Sequence, residues 1–362
     1  MTKTIAVFLT IFATVLAMPA QADDAVKVTS TVDFSRGFSD ANAIDVREFT
    51  GRIEIAVGGN ETAVILTQGK KAYGVDFILA GNKLIIEGEQ RPSNFQLFKY
   101  LKKNGYGYGK GAIEKYLMAF PVLKISVPVG VDIVFDDVIT TAMGGDTMGH
   151  FEINKGYVDA LIGDVKSAKI GISSAGNVSL GDVSEALKVG IGGSGNFDAV
   201  SAGSATFSIG GSGDVQIGYI DNDVKMTIGG SGDIKAGDVG GVVRVNEGGS
   251  GEIEIGKAGA GADLSIAGSG DIAMSSINGP TKARIAGNGH IVIKDGLAKD
   301  LTVSISGNGD FDFDGKSTNL NVSIVGSGSV DVRKNTGSLK TSNRGGNIRV
   351  NGKSIKKKKH GG

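Results

Sequence analysis

Short runs of alternating hydrophobic and polar residues make up most of the chain. Val224, Met226 and Ile228 are separated by single polar residues, and the alternation returns in the runs Leu264–Ile266 and Val303–Ile305. A period of two places every second side chain on the same side of an extended backbone. The pattern therefore predicts an all-β fold whose strands each bury one face.

A glycine-rich marker separates these runs at a nearly constant interval of 18 to 20 residues. A single repeat of this length cannot bury its inner face, whereas stacked repeats pair their strands and form a continuous core. The repeat therefore predicts a single-stranded parallel β-helix (solenoid) with coils of about 19 residues. The last glycines of the markers are Gly176, Gly195, Gly213, Gly232, Gly251, Gly270, Gly289, Gly309, Gly328 and Gly346.

The corner that follows each strand has a recurring composition. Glycine allows close approach between stacked coils, and the Asp or Asn that follows is expected to bond to local amides as a turn former. An isoleucine ends the strand before most markers, but Glu247 takes that place in RVNEGGSG. Because a buried unpaired carboxylate is costly, we expect a local bulge that turns Glu247 outward, and a functional carboxylate is the alternative.

The chain divides into four parts on this pattern. Residues 1–22 are a predicted signal peptide, and residues 23–162 lack the marker and are expected to form irregular coils that cap one end. Regular β-helix repeats are expected over 163–350, followed by a basic disordered tail over 351–362. The apolar run of the leader is too short to favour a membrane anchor, so we expect cleavage and export to the periplasm, the cell surface or the medium.

The strands of the N-terminal part are interrupted by an insertion over residues 91–120 that is rich in aromatic residues and lysines. One interpretation is a contact surface for a glycan, a protein or an anionic envelope polymer. The alternative is a short amphipathic helix, Phe95 to Lys103, that covers an end or a face of the solenoid. The candidate contact residues are Phe95, Phe98, Tyr100, Lys102, Lys103, Tyr106 and Tyr108.

The composition limits the kinds of site and partner that the chain can have. The chain has 59 glycines, no cysteine, and 38 basic against 38 acidic residues, which excludes disulfides and thiolate metal sites and does not suggest a nucleic-acid binder. We predict no cofactor and no transmembrane segment in the mature chain. The marker is similar to a calcium-binding nonapeptide but has a different spacing, so calcium is left open with four candidate ligands in one column. They are Asp214, Asp233, Glu252 and Asp271.

No catalytic constellation is evident. His150, His290 and His360 lie far apart in sequence, and no nucleophile elbow, phosphate loop or zinc spacing occurs. β-Helices also include polysaccharide lyases and hydrolases, but the short, uniform turns of this chain leave little material for the walls of a cleft. We therefore predict that the protein is not an enzyme.

The marker GSG followed by Asp or Asn and an apolar residue, at a period near 19, resembles the bacterial family called putative auto-transporter adhesin, head GIN domain. The runs FTGRIEIAVG, LIIEG and ISVPVGVDI are similar to the opening of that family. The likeness covers roughly residues 40–350. It implies a secreted, right-handed parallel β-helix in a bacterial envelope with an adhesive role, and it supplies no catalytic motif.

The function expected from these observations is an exported, non-enzymatic adhesin or cell-envelope interaction module. Its expected partner is a cell-surface or matrix glycan or protein, not a nucleic acid, and oligomerisation is left open. A periplasmic polysaccharide-active enzyme and a passive structural scaffold of the envelope are the alternatives.

Overall fold

The computed structural model describes residues 26–70, 73–89, 97, 99, 102, 103 and 110–355. One helix, α1 (Lys110–Leu117), has both bounds in this part of the chain, and residues 97, 99, 102 and 103 are also helical. The strands are β1 (Val26–Ser30), β2 (Phe34–Phe38), β3 (Ala43–Arg47), β4 (Thr50–Val57), β5 (Thr62–Thr67), β6 (Val75–Ala80), β7 (Lys83–Gly88), β8 (Val122–Val127), β9 (Asp132–Asp136), β10 (Val138–Gly144), β11 (Met148–Ile153), β12 (Gly156–Ile162), β13 (Val165–Ile172), β14 (Asn177–Ile191), β15 (Asn196–Ile209), β16 (Val215–Ile220), β17 (Val224–Ile228), β18 (Ile234–Ala236), β19 (Val243–Glu247), β20 (Glu252–Ala258), β21 (Ala262–Ile266), β22 (Asp271–Asn278), β23 (Thr281–Ile285), β24 (His290–Ile293), β25 (Gly296–Gly307), β26 (Asp310–Gly326), β27 (Ser329–Asn335), β28 (Leu339–Arg344), β29 (Asn347–Val350) and β30 (Lys353–Ser354).

The strands stack into two long parallel walls because each coil pairs with the next. A shorter parallel ladder joins the walls along one side and includes Ala202, Ile220, Val239, Ala258 and Ile277. Val224 pairs with Val243, and Val243 pairs with Ala262, a step of 19 residues. The first wall contains β4, β10, β12, the first halves of β14 and β15, β16, β18, β20, β22, β24, the first half of β26, β27 and β29. The second wall contains β3, β9, β11, β13, the second halves of β14 and β15, β17, β19, β21, β23, the second halves of β25 and β26, and β28. The predicted all-β solenoid of stacked parallel coils is confirmed.

The alternation in the sequence explains the core between the walls. In β17 the side chains of Val224, Met226 and Ile228 point inward and are buried, while Lys225 between them is exposed. Stacking repeats this arrangement in every coil, so the inward side chains form continuous columns. Burial of one such side chain contributes about 1.5–3 kcal/mol, which makes these columns the main source of stability.

Each corner brings the backbones of neighbouring coils close together. In GGSG of residues 229–232, a Cβ at Gly230 would lie 2.0 Å from the carbonyl oxygen of Gly211 in the previous coil. A Cβ at Gly232 would lie 2.1 Å from the carbonyl oxygen of Gly213. Gly229 has only one atom at the edge of contact, the Ile209 carbonyl oxygen at 4.0 Å. Glycine is therefore required at two positions of this corner and not at the first.

The N-terminal end of the solenoid is built differently from the coils. The second wall continues outward through β7 to the antiparallel strands β6 and β1, and the first wall continues through β8 to the antiparallel strands β5 and β2. Ile113 and Leu117 of α1 are buried against the same part of the core. The antiparallel strands thereby occupy edges that would otherwise be open to pairing with other chains.

The C-terminal end closes only partly within the described residues. β30 folds back on β29, where Val350 pairs with Lys353. β28 is the last strand of the second wall in this part of the chain, and its inward positions carry Thr341 and Asn343 in place of aliphatic residues. Lys340 and Arg344 flank them, and charged residues on a free edge oppose strand addition.

Candidate functional surfaces

Most of the predicted contact residues in the insertion lie outside the described residues. These are Phe95, Phe98, Tyr100, Tyr106 and Tyr108. Lys102 and Lys103 are described, and both are helical and exposed, as is Lys99. Leu97 is 1% exposed, so the helical part of the insertion places at least one side chain in the core. The insertion thus combines a buried apolar residue with exposed lysines, as an amphipathic helix does.

Two other aromatic residues of the insertion have a structural role. Tyr116 and Phe120 are buried, and their ring centroids are 5.0 Å apart. Phe120 also contacts Tyr73 edge-on, with the centroids 6.0 Å apart. These two residues attach the end of the insertion to the N-terminal coils and are not available to a ligand.

The four candidate metal ligands lie in one outward column of the first wall, which we call the carboxylate column. Its members, one per coil, are Asn177, Asn196, Asp214, Asp233, Glu252, Asp271, His290, Asp310, Ser329 and Asn347. Asp233 Oδ1 accepts a hydrogen bond from the backbone N–H of Glu252 at 2.8 Å, and Asp214 Oδ1 accepts one from that of Asp233 at 3.0 Å. The side chain after the marker therefore bonds to the backbone of the next coil. The predicted bond to amides of its own turn is wrong for these residues.

These hydrogen bonds between neighbouring coils give the acidic residues of the carboxylate column a structural role in the solenoid. Asp271 bonds in the same way to the backbone N–H of His290, whereas the N–H of Asp271 is bonded to the Gly251 carbonyl and not to Glu252. Among the residues that the structure describes, no group of three or more His, Asp and Glu side chains is arranged to hold a metal ion. The sequence left calcium binding open at Asp214, Asp233, Glu252 and Asp271, and it stays open.

Replacing Asp233 with alanine is expected to lower the free energy of unfolding by about 1–2 kcal/mol, because the N–H of Glu252 then loses its acceptor. Asp233→Asn keeps an oxygen at the same place and is expected to cost less than about 0.5 kcal/mol, as Asn196 already serves the next coil. Urea denaturation followed by circular dichroism measures both values. Equal losses for the two variants would show that the hydrogen bond does not stabilise the corner.

Glu247 lies inside the solenoid, so the predicted outward bulge is wrong. It stays in register between Ile228 and Ile266 and is 1% exposed. The regular pairing on both sides holds the backbone in the strand, and the inward position carries the carboxyl group with it. Contact with the Gly270 corner is so close that a Cβ there would lie 2.6 Å from Glu247 Oε1.

The carboxyl group of Glu247 is only partly compensated. Neither oxygen forms a hydrogen bond of normal geometry. Burial raises the pKa of Glu247, and the backbone N–H groups of Gly249, Gly270 and Gly251 only partly oppose this effect. Sealed from solvent, the group is out of reach of a ligand on the surface.

Two other buried acids show what compensation looks like. Asp45 Oδ2 accepts a hydrogen bond from the Arg47 guanidinium at 2.5 Å and lies 3.0 Å from Lys83 Nζ. Burial alone would raise the pKa of Asp45, but these two cations outweigh it and lower the pKa. Asp159 accepts from the Tyr157 hydroxyl at 3.1 Å and from the Asn177 backbone N–H at 2.8 Å. Asp45 Oδ1 also lacks a hydrogen-bond partner, but of these three acids only Glu247 has neither oxygen in a hydrogen bond of normal geometry.

The outer surfaces of the two walls carry opposite charge. From β14 to β27, acidic residues dominate the two outward columns of the first wall, with Lys235 as their only lysine or arginine. The acids are Asp198, Asp214, Asp233, Glu252, Glu254, Asp271, Asp310, Asp312 and Asp331. In the corresponding columns of the second wall, from β13 to β28, the charged residues are basic with the exception of Asp263. The bases are Lys169, Lys188, Lys225, Arg244, Lys282, Arg284 and Lys340.

The histidines do not form a site in the described part of the chain. His290 Nε2 lies 2.9 Å from Asp312 Oδ2 on the first wall, and His150 Nδ1 lies 2.8 Å from the Ser167 hydroxyl on the second. His360 lies outside the described residues. No helix among the described residues has the length and apolarity to span a bilayer.

Comparison with known proteins locates the family resemblance. Residues 239–354 match the model of the family described as putative auto-transporter adhesin, head GIN domain, so the predicted resemblance is confirmed for that segment. A solved structure of a putative adhesin from Bacteroides fragilis is 15% identical, with a TM-score of 0.29, and the alignment covers 80% of this chain and 97% of that chain. No curated protein is significantly similar. The sequence similarity to this family thus lies in the C-terminal coils.

Proposed function

We propose that the protein is exported and acts without catalysis as an adhesin or cell-envelope interaction module. The observation that carries the proposal is the uniformity of the coils from β14 to β29, which leaves two flat outer walls of polar and charged side chains. Flat surfaces of this kind suit large partners, whereas catalysis on a small substrate needs a concave site. The family match at residues 239–354 supports the same interpretation.

The insertion over residues 91–120 is a proposed contact surface of this module. Aromatic faces and lysine head groups together recognise glycans and protein surfaces through stacking and charge. The exposure of Lys102 and Lys103 supports this assignment for the described part. Phe95, Phe98, Tyr100, Tyr106 and Tyr108 complete the proposed set.

Location and adhesion test this function together. In cells that make the protein, we expect protease or antibody added to intact cells to reach it, and we expect these cells to adhere to immobilised mucin or fibronectin. The variant with alanine at Phe98, Tyr100, Tyr106 and Tyr108 is expected to reach the same location and to lose most of this adhesion. Detection only after permeabilisation of the outer membrane would contradict an adhesin and assign the protein to the periplasm.

Catalysis is tested separately on the purified protein. Acidic and neutral polysaccharides are incubated with it and assayed for new reducing ends and for unsaturated ends, which hydrolases and lyases produce respectively. We expect neither product. Formation of either one at a rate proportional to protein concentration would overturn the non-enzymatic assignment.

A further inference from the structure

The outward face of the second wall is a regular array of cations. One column, the basic column, runs in register through ten coils, and its neighbour two residues further along each strand is composed mainly of small polar residues. The basic column is Lys169, Lys188, Thr206, Lys225, Arg244, Asp263, Lys282, Thr302, Asn321 and Lys340. The neighbouring column is Gly171, Gly190, Ser208, Thr227, Asn246, Ser265, Arg284, Ser304, Ser323 and Ser342.

Several of these cations are free to bind an anion. Lys188, Lys225 and Lys282 are exposed, and within the described part of the chain none of them has an ion-pair partner. Arg244 lies 2.9 Å from Asp223, and Arg284 lies 2.5 Å from Asp263, so these two arginines are partly neutralised. Four exposed lysines without an ion pair among the described residues therefore remain on one straight line along the solenoid, with Lys340 at the C-terminal end as the fourth.

The spacing of this line follows from the fold. Adjacent strands of a sheet are about 4.8 Å apart, so Lys188 and Lys225 are separated by about 10 Å, and Lys225 and Lys282 by about 14 Å. From β15 to β23 the strands of this wall pair from coil to coil without interruption. No loop therefore projects from this part of the wall between one lysine and the next. An extended chain molecule can therefore lie along the axis and meet each lysine in turn.

The neighbouring column identifies the kind of polyanion. Ser208, Thr227, Asn246, Ser265 and Ser304 present hydroxyl and amide groups, which exchange hydrogen bonds with sugar hydroxyls. Neither column contains an aromatic residue on which a nucleic-acid base could stack. The surface therefore suits a charged polysaccharide better than a single-stranded nucleic acid.

A second copy of the chain is the other occupant that charge would favour, since its first wall is acidic. The carboxylates of that wall already have tasks within their own chain: Asp233 and Asp271 accept backbone N–H groups, and Asp312 lies beside His290. Pressing two such walls together would also remove water from charged groups that gain little in return. A flexible polymer avoids this cost because it leaves the lysines partly hydrated while it releases counterions.

We propose that the second wall between β13 and β28 binds a linear carboxylated polysaccharide, a polymer of uronic acids, along the solenoid axis. The sugar carboxylates lie on Lys188, Lys225 and Lys282, and the sugar hydroxyls lie over the neighbouring column. This inference rests on the proposed function and adds to it the class of ligand and a surface distinct from the insertion.

The experiment measures binding of the purified protein to immobilised polygalacturonate. The triple variant Lys188→Glu, Lys225→Glu, Lys282→Glu is expected to lose about 30-fold in affinity, because both the released counterions and the attraction are lost. The Lys→Gln triple is expected to lose less. A matched control, Lys294→Glu, Lys316→Glu, Lys334→Glu, carries the same change of charge on three exposed lysines outside both the second wall and the insertion, and is expected to lose less than about threefold.

Ligand controls separate recognition from charge alone. Fully methyl-esterified polygalacturonate keeps the sugar chain but not the carboxylates, and we expect it not to bind. Double-stranded DNA is expected to compete poorly at 200 mM salt. If DNA displaces the polymer at equal charge concentration, the wall recognises only negative charge and the inference is overturned.

The variants also separate this inference from the proposed function. If the variant with alanine at Phe98, Tyr100, Tyr106 and Tyr108 loses binding while the second-wall variant retains it, the inference fails and the module stands with the insertion as its contact surface. The inference is also overturned if the wild-type protein does not bind polygalacturonate. Adhesion to mucin or fibronectin would in that case still support the module. Salt-sensitive oligomers that the second-wall variant abolishes, without any polymer binding, would assign the wall to a second copy.

Discussion

Replacing Glu247 with isoleucine is expected to raise the free energy of unfolding at pH 7 by about 3 kcal/mol. Wild-type Glu247 is 1% exposed, and neither of its carboxyl oxygens forms a hydrogen bond of normal geometry. Isoleucine is already present at the paired positions Ile228 and Ile266, so the column accepts this shape. The substitution removes the desolvation cost and adds apolar contact within the core.

The gain is expected to depend on pH. Burial raises the pKa of Glu247 above its value in the unfolded chain, so the folded state favours the protonated form. The contribution of this group to stability is therefore fully present below the unfolded pKa of about 4.3 and is lost as the pH rises through the folded pKa. The difference between Glu247→Ile and wild type should accordingly be small in acid and large at neutral pH.

Urea denaturation at a series of pH values measures this difference, with far-ultraviolet circular dichroism as the signal. Glu247→Gln removes the ionisation but keeps a buried polar group, so it should abolish this pH dependence with a smaller gain. Glu252→Gln, an exposed residue five positions further along, is the matched control and should change little. A Glu247→Ile variant that is no more stable than wild type at pH 7 would show that the carboxyl group is compensated.

Substitution of two adjacent glycines is expected to give very different results. Gly230→Ala should lower the free energy of unfolding by at least about 3 kcal/mol, because the new Cβ would lie 2.0 Å from the carbonyl oxygen of Gly211. The opposing atom is backbone, and it belongs to a coil held in register on both walls. Gly229→Ala places its Cβ 4.0 Å from the nearest atom and should change stability by less than about 0.5 kcal/mol.

Neither glycine has a positive φ, so the comparison isolates the contact between coils from backbone strain. Urea midpoints of the two variants give the result, and limited proteolysis locates cleavage if Gly230→Ala loosens the solenoid at this corner. Similar stability for the two alanine variants would mean that the coils can separate without cost. That outcome would contradict close stacking as the reason for the repeated glycine.

Local rules account for the part of the structure that the sequence predicts well. The chain has a marker every 18 to 20 residues and an alternation with a period of two. Strands of this kind bury their apolar face and pair their edges when each coil stacks on the next. The pairing of Val224 with Val243 and of Val243 with Ala262 follows directly from that period. Glycine at the corner is predictable for the same reason, since stacked coils approach closely there.

The misjudged features depend on neighbours that are distant in sequence. The cost of burying Glu247 was correctly identified, but its environment is set by two adjacent coils that hold its strand in register and leave no room for a bulge. Asp233 has the composition of a local turn former, yet the free N–H that it meets lies 19 residues away at Glu252. Residue preference describes what a side chain can do, whereas the fold supplies the partner.

The charge distribution on the surface likewise depends on the tertiary structure, whereas the fold class does not. The alternating residues and the period of the markers specify a β-solenoid, because they are satisfied within one coil and its immediate neighbours. A balanced composition of 38 basic and 38 acidic residues gives no indication of an asymmetric molecule. Only stacking aligns Lys188, Lys225 and Lys282 on one wall and Asp214, Asp233 and Asp271 on the other. Charges far apart along the chain add into a field only when the coils bring them into line, and that alignment is a property of the tertiary structure.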